Sequence, residues 1–140
     1  MITLDQYFCR HLADGLMTPD MQRNAKVLLS LVNPLLNEAA VKGVYTFGIN
    51  PNTLTQISGS KGGAGDGGFR ASNSTTGAAK SQHKQANAVD VYDPGNKLDN
   101  WLTDEILTTF GLYREAAAST PTWCHLQRIA PGSGRRTFNP

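Results

Sequence analysis

Ser81-Gln82-His83-Lys84-Gln85-Ala86-Asn87-Ala88-Val89-Asp90-Val91-Tyr92 passes from loop to strand. Its second half, Ala86–Tyr92, alternates as a half-buried strand does. Ala88, Asp90 and Tyr92 share one face of that strand, and Asn87, Val89 and Val91 take the other. Val89 and Val91 belong in a core, so Asp90 points into a cleft. His83 is delivered by the loop before it. A second segment, Thr122–Ile129, reads as the final strand, with Trp123, His125 and Gln127 on one face and Cys124 and Leu126 on the buried one. Two neighbouring strands of this kind aim Asp90 and His125 at one point, with His83 arriving beside them. Two imidazoles and one carboxylate form a three-ligand zinc site with an open fourth position, the arrangement of catalytic zinc. The plainer alternative is that both histidines are hydrogen-bonded structural residues and no metal is held.

The remainder of the chain frames these strands. Residues 3–14 read as a short helix with Leu4, Phe8 and Leu12 on one face, and His11 on it as a surface or packing residue. Thr18 caps a second helix, Pro19 takes its first position and Asp20 complements the dipole. Met21, Val27, Leu28, Leu31, Val32, Leu35 and Leu36 make its apolar stripe. Pro34 is expected to kink or split it near Val32–Asn33, and Gly43 to stop it. Val44–Ile49 and Thr53–Ser58 look like strands. Residues 59–68, GSKGGAGDGG, contain six glycines and open a long loop reaching residue 82, a surface loop or a lid over a groove. Asn96 is expected to cap a helix over 97–110, with Trp101, Leu102, Ile106, Leu107 and Phe110 inward and Gly111 as its stop. Leu112–Glu115 reads as a short strand.

The pattern is α+β: a small, mainly antiparallel sheet with N-terminal helices packed on it. One domain spans 1–140, helical over 1–43, with sheet and metal site over 44–130 and an irregular tail over 131–140. Thirteen Lys+Arg against 11 Asp+Glu leave a net charge of +2, which gives no reason to expect a nucleic-acid or membrane partner. No apolar run approaches the ~18 residues of a membrane span. The opening MITLDQYFCRHLADG lacks the basic start and apolar block of a secretory signal. Cys9 and Cys124 make no disulfide framework.

Ser81-x-His83-x-x-x-x-Ala88-x-Asp90 followed by Trp123-x-His125 resembles the motifs of the D-Ala-D-Ala carboxypeptidase-like zinc peptidases and related phage endolysins. Gly68-Phe69-Arg70 is similar to the family's Gly-Tyr/Phe-Arg segment. The resemblance covers residues 44–138 and implies a D-Ala-D-Ala-peptidase-like (hedgehog-type) fold. It implies one Zn2+ held by His83, Asp90 and His125. It also implies that Arg70 polarises the scissile carbonyl or holds a peptide carboxylate, and that Ser81 hydrogen-bonds within the site. Tyr92, Trp123 and Gln127 are expected to line the substrate rim. The implied substrate is the stem peptide of bacterial peptidoglycan, with a D-residue near the cut. A monomeric phage lysis enzyme in the host cytoplasm, or a virion-associated protein, is the expected setting. Two departures stand out. The family carries Gly where this chain has Ala86, which suits extended backbone but is strained at positive φ. Thr122 stands where many members carry the catalytic acid. Glu115 is the nearest replacement base, with a solvated carboxylate beside Arg114 as its plain alternative. Thr122 also motivates a catalytically silent relative that binds peptidoglycan or serves in the virion.

Overall fold

The computed structural model describes residues 1–13, 15–46, 48–49, 67–75 and 77–140. The first helix, α1 (Leu4–Phe8), opens with a capping box. Thr3 Oγ1 accepts from the Gln6 amide at 3.2 Å, and Gln6 Oε1 accepts from the Thr3 amide at 2.9 Å. Cys9, at φ 47°, ends it, and the chain continues as a 3-10 turn over Cys9–Leu12. The expected single helix over 3–14 is thus broken, and Leu12 is left exposed. His11 is buried, edge-on to Phe69 with ring centroids 5.2 Å apart.

Helix α2 (Pro19–Val41) begins as its sequence demands, with Thr18 Oγ1 accepting from the Met21 amide at 3.2 Å. It runs unbroken through Pro34, against the expected split. Pro34 sits on the exposed side of the helix, so its ring avoids the core, and Ser30, whose carbonyl it leaves without a helical partner, is exposed too. Leu28, Leu29, Val32, Leu35 and Leu36 are buried, while Val27 faces solvent. Gly43, at φ 81°, closes the helix. The Val44 amide reaches the Ala39 carbonyl at 2.8 Å and the Gly43 amide reaches Ala40 at 2.9 Å, a Schellman arrangement.

The sheet is four-stranded: β1 (Ala88–Tyr92), β2 (Tyr113–Glu115), β3 (Trp123–Gln127) and β4 (Thr137–Phe138), in the order β1-β3-β2-β4. The β1–β3 and β3–β2 pairs are antiparallel and β2–β4 is parallel. The α+β class and the mainly antiparallel sheet agree with the sequence reading. The tail does not: Thr137–Phe138 is a strand, held by the Arg114 amide on the Arg136 carbonyl and the Ala116 amide on the Phe138 carbonyl, each at 2.8 Å. A pair this short has no alternating pattern to read. Among the described residues of the expected strand Val44–Ile49, only Ile49 forms a bridge, to Val91. The expected strand Thr53–Ser58 and the glycine-rich residues 59–66 lie outside the described residues.

The segment expected as one helix over 97–110 is two, α3 (Lys97–Trp101) and α4 (Asp104–Phe110). Leu102 is extended, and Thr103 Oγ1 caps α4 by accepting from the Ile106 amide at 3.2 Å. Asn96 precedes α3 in a left-handed conformation without a capping bond. Asp93 caps instead, accepting from the Leu98 amide at 3.2 Å and the Asp99 amide at 3.0 Å. Tyr7 and Phe8 of α1, the buried face of α2, Leu98, Leu107, and Val89, Val91, Cys124 and Leu126 of the sheet form one hydrophobic cluster. Burying each large aliphatic side chain there contributes roughly 1.5–3 kcal/mol. This cluster fixes which face of β1 and β3 is inward, and so turns Asp90 and His125 to the other side. Among the described residues, no helix is long and apolar enough to cross a membrane.

Candidate metal centre

Strand register brings the first two groups together: Asp90 of β1 lies directly opposite His125 of β3. His83 comes from the 3-10 turn Gln82–Gln85, which starts with Ser81 Oγ accepting from the His83 amide at 3.3 Å. That turn ends at Ala86, buried and left-handed at φ 56°, ψ 35°. The position that the resemblance assigns to glycine is therefore a positive-φ position, and Ala86 occupies it with strain.

The three side chains are buried, and their ligand atoms lie within 4.8 Å of one another. His83 Nε2 is 3.3 Å from His125 Nδ1 and 3.2 Å from Asp90 Oδ1, and His125 Nδ1 is 2.8 Å from Asp90 Oδ1. Tetrahedral coordination with bonds of about 2.0–2.1 Å has edges of about 3.3 Å. The triangle already has nearly that size, so this group can hold a metal ion with little movement. The second nitrogen of each imidazole has its own partner. His83 Nδ1 donates to the Gly68 carbonyl at 2.8 Å, which leaves Nε2 as the atom with a lone pair to offer a metal. His125 Nε2 lies 3.1 Å from Gln127 Oε1.

Arg70 Nη2 donates to Asp90 Oδ2 at 3.0 Å, so one carboxylate oxygen is held by the guanidinium and the other faces the imidazoles. Gly77, at φ 72°, makes room for this arginine: a Cβ there would stand 2.6 Å from Arg70 Nη1. Gly67 and Gly68 set the neighbouring strand edge. The Gly67 carbonyl accepts from the Asp90 amide at 2.7 Å, and a Cβ on Gly68 would lie 2.3 Å from the Tyr7 carbonyl oxygen. Tyr7 in turn donates its hydroxyl to the Ala88 carbonyl at 2.8 Å and is fully buried, which pushes its pKa up.

Electrostatics separate the three groups. Burial tends to raise the Asp90 pKa, but the His83 charge and the hydrogen bonds of both imidazoles outweigh it and hold the carboxyl well below its usual range. Burial lowers the pKa of His83 despite Asp90. Burial opposes charge on His125 too, yet its hydrogen bond to Asp90, the Asp90 charge and the Glu115 charge raise it.

A cavity of about 490 Å³ opens on this group, lined by Arg70, Gly77, Lys80, Ser81, Gln82, Glu115, Trp123, Gln127 and Pro140 besides the three ligands. Seven of the expected site residues thus meet at one place with Glu115. Arg114 is turned to Asp99, with Nη1 2.8 Å from Asp99 Oδ1, and so leaves Glu115 to the cavity. Tyr92 is half-buried opposite Trp123 in the register, and is not among the lining residues. Thr122 is exposed, its carbonyl accepting from the Asp93 amide at 2.9 Å. Cys124 is on the core face, its thiol pushed up by burial and by the Asp99 charge. The sequence reading missed Gly77, Lys80 and Pro140. Pro140 arrives with β4, whose Phe138 stands edge-on to His125 at 6.4 Å. Comparison of the chain with protein-family models, curated proteins and solved structures finds no match.

Proposed function

We propose that this chain is a zinc-dependent hydrolase of peptide bonds in the stem peptides of bacterial peptidoglycan, cutting as a carboxypeptidase or an endolysin-like endopeptidase. The observation that carries the reading is the triangle of His83, Asp90 and His125, near tetrahedral size and facing a cavity that also holds Glu115. Zinc bound there would supply Lewis acidity toward an amide carbonyl and lower the pKa of a bound water to about 7. The substrate class rests on the resemblance of Ser81-x-His83, Asp90 and Trp123-x-His125 to the D-Ala-D-Ala carboxypeptidase-like peptidases. The setting follows from it: a monomer acting in the host cytoplasm before lysis, or within a virion.

Glu115 accepts a proton from the attacking water and returns it to the leaving amine, the base role that Thr122 lacks the chemistry to fill. Arg70 holds Asp90 in its ligating orientation. Lys80 lines the same cavity and forms no ion pair among the described residues, so it is the cation open to a peptide carboxylate. Trp123 offers a flat apolar wall. The test is mass spectrometry of soluble products after zinc-loaded protein meets purified peptidoglycan, with His125→Ala as control. Release of free amino acid or shortened stem peptides by the parent alone is expected. Zinc-containing protein that releases nothing from several wall types would transfer the reading to a silent, wall-binding relative. Absence of zinc binding would return both histidines to structural roles.

A further inference from the structure

Gln127 stands two residues beyond His125 on the same face of β3, an interior strand paired on both sides. The sequence reading gave it to the substrate rim. Its amide is nevertheless engaged at both ends. Gln127 Nε2 donates to the Ile129 carbonyl at 2.6 Å, which fixes the amide orientation and turns Oε1 toward the imidazole. Oε1 lies 3.1 Å from His125 Nε2, and an amide oxygen only accepts. His125 Nε2 therefore carries a hydrogen, and Nδ1, whose own hydrogen is directed at Asp90 Oδ1, is the nitrogen that can exchange it for a metal. Nδ1 is the atom directed at His83 Nε2 and Asp90 Oδ1.

We infer that Gln127 is a positioning residue that commits His125 to bind metal through Nδ1; the inference rests on the zinc reading above. Ring rotation would bring Nε2 to the metal and set Nδ1 against Gln127, but the strand backbone and the Ile129–Gln127–His125 chain of hydrogen bonds oppose it. The Gly68 carbonyl does the same for His83 in the opposite sense, leaving Nε2 free. Both imidazoles thus have an outer partner, as metal-bound histidines usually do. Gln127 is the side-chain half of that pair and can be altered without touching the backbone.

The test combines zinc affinity, by competition with a chromogenic chelator, with nitrogen-15 NMR of the imidazoles in zinc-loaded protein. In the parent, His125 carries its hydrogen on Nε2 and binds zinc through Nδ1. Zinc on Nε2 would overturn the inference without recourse to any variant. Gln127→Leu is expected to weaken zinc binding about 10–100-fold and to lose the slowly exchanging Nε2 hydrogen. Gln127→Glu, which keeps an acceptor in place, is expected to restore both. A merely structural role would lower the melting temperature of the metal-free variants and leave zinc affinity unchanged, which sinks the inference while the metal reading stands. A parent that binds no zinc at all overturns both.

Discussion

Asp90 and His125 are register partners across the β1–β3 pair, and Asp90 Oδ1 lies 2.8 Å from His125 Nδ1. Two adjacent, hydrogen-bonded strands hold this contact, so the pair needs no loop movement to assemble. His83 joins from a turn whose geometry depends on a left-handed Ala86.

Each of His83→Ala, Asp90→Ala and His125→Ala should lower zinc affinity by more than about 100-fold, beyond the 10–100-fold typical of losing an outer partner. In the parent, free zinc at about 100 times its Kd should stabilise the fold by about 2.7 kcal/mol. That corresponds to a rise in Tm of roughly 10 °C for a chain of this size. A chelator should reverse it, and elemental analysis of the variants checks the ligand set. Stoichiometric zinc in all three variants would exclude this site.

Acid should release the metal. The folded pKa of His125 is raised above 6.5. Its protonation therefore stabilises the metal-free fold below pH 6.5, and this contribution is lost as pH rises through the folded value. Zinc requires unprotonated ligands and has the opposite dependence. The rise in Tm caused by zinc should consequently shrink on acidification, beginning above pH 6.5, the ordinary histidine value. Thermal melts with and without zinc across pH 5.5–8.5 measure this difference, and a constant rise would contradict the role of His125.

Glu115→Gln should reduce peptide hydrolysis by about 10²–10⁴-fold, the usual contribution of a general base. Zinc content and Tm should barely change, because Glu115 lines the cavity without ligating. Equal turnover by parent and variant would remove Glu115 from the mechanism.

Ala86 is fully buried at φ 56°. A left-handed L-residue costs about 1–2 kcal/mol, while glycine loses about 0.5–1 kcal/mol more backbone entropy on folding. Ala86→Gly should thus be neutral or stabilising by up to about 1 kcal/mol. Ala86→Val, branched and without space, should destabilise by about 2 kcal/mol or more. Urea melts of the two variants decide it; destabilisation by glycine would mean that this residue is not left-handed in solution.

Gly68→Ala would push a methyl group to 2.3 Å from the Tyr7 carbonyl oxygen, a backbone atom. The contact also carries the Phe69 amide bond to Tyr7 at 3.0 Å and positions the Gly68 carbonyl on His83. Destabilisation above about 2 kcal/mol together with weaker zinc binding is expected, read by denaturant melts and chelator competition. A variant as stable as the parent would argue against this packing.

Much of the site was legible because strands alternate. Val89 and Val91 against Asp90, and Cys124 and Leu126 against His125, each state which face is inward. Helix ends were legible for the same local reason: Thr18, Pro19 and Gly43 act through their own backbone neighbours. Where a local rule met a competing circumstance, the reading failed. Pro34 is tolerated because its side of α2 is exposed, and Asn96 yields the cap of α3 to Asp93.

The amino-acid order by itself determined the α+β class and the buried faces, properties of short-range periodicity, and its motifs singled out His83, Asp90 and His125 as candidate ligands. Only the tertiary structure decided that Asp90 opposes His125, that Arg70 is spent on Asp90, and that Gln127 serves His125. It also brought Pro140 to the cavity through a two-residue strand. These relations join residues by register and chain reversal, and no local propensity encodes the distance between them.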